Sequence, residues 1–120
     1  MKLCITSAGR DLEADVHPSF GRAPYFLFVD SGSSGVDAVE NRPGAHGAGV
    51  QAAQTVANRG AGAVITGNVG PNAFQGLAAA GITIYVGARG TGRDALEAYR
   101  SGTLRQAAAP TGRAHQGGPR

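Results

Sequence analysis

Short apolar runs alternate with glycine-rich loops along most of the chain. The runs that have the length and composition of β-strands are 2–6, 25–30, 36–41, 63–66 and 82–86. Because the small turn residues SGSSG separate the second run from the third, we expect these two strands to form an antiparallel hairpin.

Helical spacing of apolar residues begins after His46. The first helical segment stops at Gly60, and the second lies between Pro71 and Gly81, which suit a first helical turn and a C-cap. The third segment follows Thr91 in the sequence TGRD, which has the spacing of a capping box. The predicted order of elements is therefore β-β-β-α-β-α-β-α.

Strands that alternate with helices favour parallel pairing through right-handed crossovers. The order predicts an α/β fold, a ribonuclease-H-like three-layer α/β/α arrangement. Its five-stranded mixed sheet has the order 3-2-1-4-5, with strand 2 antiparallel. We expect this domain to cover residues 1–104. Residues 105–120 contain neither acids nor large apolar residues, which is typical of a disordered basic tail.

Composition narrows the class of protein. The chain of 120 residues has the length of one domain, and its net charge of +3 equals the excess that Arg105, Arg113 and Arg120 supply from the tail. The domain itself is neutral, so no nucleic-acid partner is predicted.

Cys4 is the single cysteine, which excludes a disulfide or an all-cysteine metal site within one chain. We expect a cytoplasmic protein without membrane contact, because no apolar run approaches roughly 20 residues and no signal-peptide pattern is present.

The predicted topology brings the unusual loops to one edge of the sheet. Loop 7–24 and the loops before all three helices lie at the carboxyl ends of strands, where ligands bind in open α/β sheets. Helix N-termini carry unpaired N–H groups and a partial positive charge, and neighbouring glycines admit an anion to the backbone. A sizeable anionic ligand is therefore predicted. The candidate binding residues are Arg22, His46, Gly47, Gly67, Asn68, Gly70, Asn72 and Arg89.

Several residues also have a simpler interpretation. His46 is either a metal ligand, since neutral imidazole binds iron and other transition metals, or a solvated histidine at a helix start. Arg22 either clamps the anion or pairs with an acid of its own loop, and Asn68 either binds the ligand or turns the chain. Cys4 and Phe20 are predicted to be packing residues.

Catalytic motifs are missing from the sequence. A ribonuclease-H-type nuclease needs carboxylates around two metal ions, one on strand 1 and one near the end of strand 4. The stretches KLCIT and TGN stand there and contain no acid, and no GxSxG, Walker or HExxH motif occurs elsewhere. We therefore expect a protein that is not an enzyme.

Three stretches suggest a family: FGRAPYFLFVD, GAHGAGVQAA and ITGNVGPNAFQGLAAAGITIYVGARGT. They closely resemble the dinitrogenase iron–molybdenum cofactor biosynthesis family, and the similarity runs over about residues 1–104. The resemblance implies a ribonuclease-H-like domain that binds the iron–molybdenum cofactor or its iron–sulfur precursor and carries it between cofactor-assembly proteins. It also implies that the FGR stretch (residues 20–22) and the turn 67–72 belong to the cofactor-binding site and that His46 is the metal ligand.

One departure from the family concerns a second histidine. Many relatives have a histidine directly before FGR, whereas this chain has Ser19 there and His17 two places earlier. The leading hypothesis is a non-catalytic carrier of such a metal–sulfur cluster in nitrogenase cofactor assembly. The alternative is a regulatory or interaction domain that binds a small anion, phosphate or nucleotide, outside nitrogen fixation.

Overall fold

The computed structural model describes residues 1–30, 32, 35–41 and 48–111. Within these ranges the chain forms six β-strands and three α-helices. The strands are β1 (Lys2–Ser7), β2 (Tyr25–Asp30), β3 (Val36–Glu40), β4 (Ala63–Ile65), β5 (Thr83–Val86) and β6 (Arg105–Gln106). The helices are α1 (Ala48–Asn58), α2 (Pro71–Ala79) and α3 (Gly92–Ser101).

The strands form one mixed sheet in the order β3-β2-β1-β4-β5-β6. The predicted order of the first five strands is confirmed: β2 is antiparallel to both β1 and β3, and β4 is parallel to β1 and β5. The predicted number of five strands is wrong, because the short strand β6 pairs antiparallel with β5. Strand pairing uses backbone groups, so a polar two-residue segment joins the sheet without any hydrophobic signal in the sequence.

The sixth strand comes from the segment that the sequence assigns to the tail. Directly after β6, the Ala107 N–H donates to the Ile84 carbonyl over 2.8 Å. Further along the chain, the Thr111 N–H donates to the Val69 carbonyl. Residues 105–111 are therefore attached to the sheet edge and to the turn before α2. Residues 112–120 lie outside the described part of the chain, and the domain boundary at residue 104 stays a prediction.

Successive residues of the strands point to opposite faces of the sheet, and both faces are covered. On β1, Cys4 packs in the cluster that contains α1 and α2, while Leu3 and Ile5 pack in the cluster that contains α3. The molecule thus has three layers, α/β/α. Burial on both faces explains why β1, β2 and β4 are almost continuously apolar instead of alternating.

Small residues bring α1 and α2 close together. A Cβ atom on Gly49 would lie 3.2 Å from the Ala73 Cβ, and a Cβ atom on Gly76 would lie 3.1 Å from the Ala53 Cβ. The first turn of α1 therefore lies directly beside the first turn of α2. None of the helices in the described ranges is long and apolar enough to cross a membrane.

Candidate ligand-binding site

The segment 16–20 crosses the carboxyl ends of β1 and β4. The Phe20 N–H donates to the Asn68 carbonyl (3.1 Å), and the Asn68 N–H donates to the Pro18 carbonyl (2.7 Å), so Ser19 and Asn68 form a parallel bridge. The chain connects β1 to the β2–β3 hairpin on one side and continues through α1 to β4 on the other. The gap between β1 and β4 is therefore the topological switch point, where open α/β sheets bind ligands.

Two buried hydroxyl groups lie directly beneath this segment. Thr6 and Thr66 are completely buried, and their Oγ1 atoms are 2.9 Å apart. Thr6 Oγ1 also donates to the His17 carbonyl over 2.9 Å. The ends of β1 and β4, where a two-metal nuclease would need carboxylates, are thus filled by a hydroxyl pair that the segment 16–20 covers.

Gly67 accommodates this covering segment. A Cβ atom on Gly67 would lie 2.7 Å from the Pro18 carbonyl oxygen, a separation that real Cβ atoms essentially never show. The space beside Gly67 is occupied by the chain itself, so its lack of a side chain serves packing. Gly70 differs, since no described atom lies within 4 Å of the position where its Cβ would be.

The first turn of α2 is open at Gly70. Gly70 is the N-cap of the helix, with φ −78° and ψ 173°, and it provides no side chain to cap the helix. Pro71 has no N–H, and the first helical hydrogen bond runs from the Phe74 N–H to the Gly70 carbonyl (2.9 Å). The N–H groups of Asn72 and Ala73 have no hydrogen-bond partner among the described residues, and the Asn72 side chain is exposed.

The first turn of α3 is closed, contrary to the expectation of three open helix N-termini. Thr91 and Asp94 form the predicted capping box: the Thr91 Oγ1 accepts from the Asp94 N–H (3.1 Å), and the Asp94 carboxylate accepts from the Thr91 N–H (3.0 Å). The N–H groups of Gly92 and Arg93 donate to carbonyls of loop 8–24, each over 2.9 Å. No N–H of this turn is left for an anion, and the Asp94 carboxylate would repel one.

Arg22 and Arg89 are both exposed, and neither has an ion-pair partner among the described residues. Arg22 does not pair with the acids of its own loop. Glu13, one of those acids, instead bonds to Arg93, with 2.8 Å from its Oε2 to the arginine Nε. The alternative interpretation of Arg22 as an internal ion pair is therefore not realised, and both guanidinium groups are accessible to an anion.

Asn41 is a residue of this edge that sequence analysis does not single out. Its side-chain amide donates to the Ala23 carbonyl (2.7 Å) and the Gly21 carbonyl (3.3 Å), and so fixes the backbone on both sides of Arg22. A polar residue directly after an edge strand is the only signal in the sequence that points to this role.

Thr111 is a second such residue, and no sequence signal marks it. Its Oγ1 accepts from the Val69 N–H (3.0 Å), and its own N–H donates to the Val69 carbonyl (2.9 Å). The backbone directly before Gly70 is therefore held by a segment from the far end of the chain.

Cys4 and Phe20 are packing residues, as predicted. Both lie in the core cluster beside α1 and α2, and burial raises the pKa of the Cys4 thiol, so this group stays neutral and is a poor metal ligand. Elsewhere in the described part of the chain, no group of three or more His, Cys, Asp or Glu side chains is arranged to hold a metal ion. His46 and Gly47 lie outside the described residues, so their assignment to the site stays a prediction.

These features define a three-layer α/β domain with an open N-terminus at α2 and two accessible arginines at the edge that contains its topological switch point. A model of the family described as "Dinitrogenase iron-molybdenum cofactor" matches residues 1–102, and the chain belongs to this family.

Solved structures agree with this assignment. The apo form of the orange protein from Desulfovibrio gigas is 40% identical, with a TM-score of 0.89 over 92% of this chain and 96% of that one. A candidate NifB protein from Thermotoga is 39% identical, with a TM-score of 0.79 over 88% of this chain and 91% of that one.

A curated relative matches over a shorter region. An uncharacterized protein of Methanocaldococcus jannaschii is 36% identical over 73 residues, which are 57% of this chain and 62% of that protein. The match thus spans less than two thirds of that relative's length.

Proposed function

We propose that this protein is a non-catalytic carrier that binds the iron–molybdenum cofactor, or a related iron–sulfur precursor, in nitrogenase cofactor assembly. The observation that carries the proposal is the uncapped first turn of α2, at the sheet edge that holds Arg22 and Arg89, in a chain of this family. The proposal includes the ribonuclease-H-like classification of the fold, which the strand order supports.

The chemistry of the edge suits a bulky anionic cluster. A helix N-terminus carries a partial positive charge of roughly half a unit, and the N–H groups of Asn72 and Ala73 are free to donate. Two exposed guanidinium groups add charge-assisted hydrogen bonds, and the open space at Gly70 lets a large guest approach the backbone. The proposed binding residues are Arg22, His46, Gly47, Asn68, Gly70, Asn72 and Arg89, whereas Gly67 contributes by admitting the segment that covers the switch point.

His46 is the proposed metal ligand. It stands three residues before Gly49 in the sequence, and a Cβ atom on Gly49 would lie 3.3 Å from the Ala73 nitrogen in the open turn of α2. The start of α1 and the open turn are therefore neighbours. A carrier must release its cargo to the next assembly protein, and one imidazole holds a cluster less permanently than several thiolates do.

Other features support a binding role over catalysis. The hydroxyl pair of Thr6 and Thr66 occupies the place where a nuclease of this layout would hold metal-binding carboxylates. Two similar solved structures also fit a binding role: one is a candidate NifB protein, and the other is an apo form, a term for a protein without its ligand.

Anaerobic cofactor retention tests the proposal directly. The purified protein is incubated with the iron–molybdenum cofactor, separated from free cofactor by gel filtration, and analysed for bound iron and molybdenum. We expect the wild type to retain both metals and the variants His46→Ala and Arg22→Gln to retain at least tenfold less. Each substitution removes a contact to the cluster that is worth about 1.4 kcal/mol or more, which corresponds to tenfold in affinity. Arg100→Gln is the matched control, because Arg100 lies in the last turn of α3.

A thermal-shift measurement, made beside the retention experiment, separates the alternative function. The open α2 turn also fits a phosphate group, because any small anion can accept from its two N–H groups. If the wild type retains no metal while phosphate or a nucleotide raises its melting temperature, the protein is a small-anion-binding regulatory domain and the carrier proposal is wrong.

A further inference from the structure

The segment that follows α3 lies at the outer edge of the sheet, and we call residues 105–111 the strap. Its first two residues form β6, in which Arg105 lies opposite Val86 of β5. No residue of the strap is buried: Ala107 is half-buried, and the other six are exposed. Apolar burial therefore contributes little to the attachment of the strap, which depends on hydrogen bonds at the sheet edge.

Two anchors hold the strap beyond β6. At the first anchor, the Ala107 N–H donates to the Ile84 carbonyl over 2.8 Å. At the second, the Thr111 N–H donates to the Val69 carbonyl over 2.9 Å, and Thr111 Oγ1 accepts from the Val69 N–H over 3.0 Å. Residues 108–110 lie between the anchors and make no hydrogen bond within the described part of the chain. Because this connection is short, the first anchor keeps Thr111 close to Val69.

The second anchor fixes the backbone at which α2 begins. Val69 is completely buried and directly precedes Gly70, the N-cap of the helix. A buried N–H and a buried carbonyl need hydrogen-bond partners, and for Val69 both partners come from Thr111. The strap therefore helps to set the position of Gly70, and with it the direction of the free N–H groups in the first turn of α2.

The turn before α2 is held from two sides of unequal strength. Loop 8–24 holds one side, because the Asn68 N–H donates to the Pro18 carbonyl over 2.7 Å. This loop is itself anchored in the core by the buried side chains of Leu12 and Phe20. The strap holds the other side without any buried side chain. Since segments with few buried contacts and exposed hydrogen bonds open at the lowest free energy, the strap is the side from which the turn opens.

We propose that the strap is the release device of this carrier. While Thr111 is bonded to Val69, the first turn of α2 keeps the open geometry that binds the anionic guest. Once the strap leaves the sheet edge, the turn relaxes and the guest is released. The inference rests on the proposed function and adds to it a means of releasing the cargo. The family model matches residues up to 102, so the strap lies beyond the part of the chain by which the family is recognised.

Hydrogen exchange measured by NMR on the full chain tests whether the strap and the turn open together. If they do, the amides of Ala107, Thr111 and Val69 share one opening free energy, which is lower than that of the amides in β1. A completely buried residue such as Val69 would otherwise exchange together with the core strands. A Val69 amide as well protected as those of β1 overturns the inference.

Cofactor retention by strap variants tests whether the opening controls binding. Ala107→Pro removes the N–H that donates to the Ile84 carbonyl and should lower the retained cofactor iron about tenfold, because Thr111 is then no longer kept at Val69. Ala107→Gly keeps this N–H and should retain the cofactor like the wild type. Thr91→Ala weakens the cap of α3 and is the control for a general loss of stability.

The results separate the strap from the carrier function. If Ala107→Pro retains as much iron as the wild type, or loses no more than Thr91→Ala, the strap does not control the guest, and the inference is overturned while the carrier function stands. A wild type that retains no cofactor removes the carrier function and its release device together. A selective loss in Ala107→Pro, with Val69 exchanging together with Ala107, supports the release device.

Discussion

Two helices of this protein begin at the same edge of the sheet, and their first turns are built in opposite ways. At α3, Thr91 and Asp94 cap the helix and loop 8–24 accepts the next two N–H groups, so the turn is closed. At α2, the N-cap is Gly70, no side chain caps the helix, and two N–H groups have no partner in the described chain. A glycine-rich turn before a helix is therefore not in itself an anion site, because the N-cap residue and the crossing chain decide whether the N–H groups are free.

The largest expected effect concerns the contact between loop 8–24 and the turn before α2. Gly67→Ala places a Cβ atom 2.7 Å from the Pro18 carbonyl oxygen, so the loop must shift, and we expect a loss of about 2–3 kcal/mol in the free energy of unfolding. Gly70→Ala, where space is open, should cost less than about 1 kcal/mol. Urea denaturation of both variants checks this, and equal losses would contradict the distinction between the two glycines.

The closed turn of α3 should depend on its cap for stability and should not become a binding site. Thr91→Ala removes the hydroxyl that accepts from the Asp94 N–H, and we expect a cost of about 1 kcal/mol in urea denaturation. Because the N–H groups of Gly92 and Arg93 stay bonded to loop 8–24, the variant should gain no affinity for phosphate. A phosphate-dependent rise in its melting temperature beyond that of the wild type would show that the cap alone closes this turn.

The open turn of α2 should depend on Thr111, which holds the residue before Gly70. Thr111→Val removes the hydroxyl that accepts from the Val69 N–H, and we expect a loss of about 1 kcal/mol in stability and faster hydrogen exchange of that amide. Thr111→Ser retains the hydroxyl and should behave like the wild type. Unchanged exchange at Val69 in the valine variant would mean that this hydrogen bond does not hold the turn.

The smallest change in stability, and the clearest change in binding, is expected for a variant that makes α2 resemble α3. Gly70→Asp supplies a cap that accepts from the free N–H groups, so stability should rise by a few tenths of a kcal/mol while cofactor retention falls at least tenfold. Gly70→Asn caps the turn without a charge and separates the two causes. Full retention of the cofactor by both variants would show that the cluster does not bind at this turn.

Much of the fold can be predicted from the sequence because it depends on local patterns. Apolar runs indicated five strands, Pro71 and the TGRD sequence indicated two helix starts, and the order of elements predicted how the first five strands lie in the sheet. The strand β6 could not be predicted, because Arg105 and Gln106 are exposed and join the sheet through backbone hydrogen bonds that leave no hydrophobic pattern.

The candidate site, like the fold, could be predicted from the sequence only in part. The sequence by itself determined which residue types meet at the sheet edge, because the directions of the strands and the places of the loops follow from the order of elements. Only the tertiary structure decided that the turn of α2 is open, that the turn of α3 is closed, and that Gly67 is filled by Pro18. The reason is physical: the partner of a backbone N–H, or the neighbour of a glycine, comes from a segment far away in the chain.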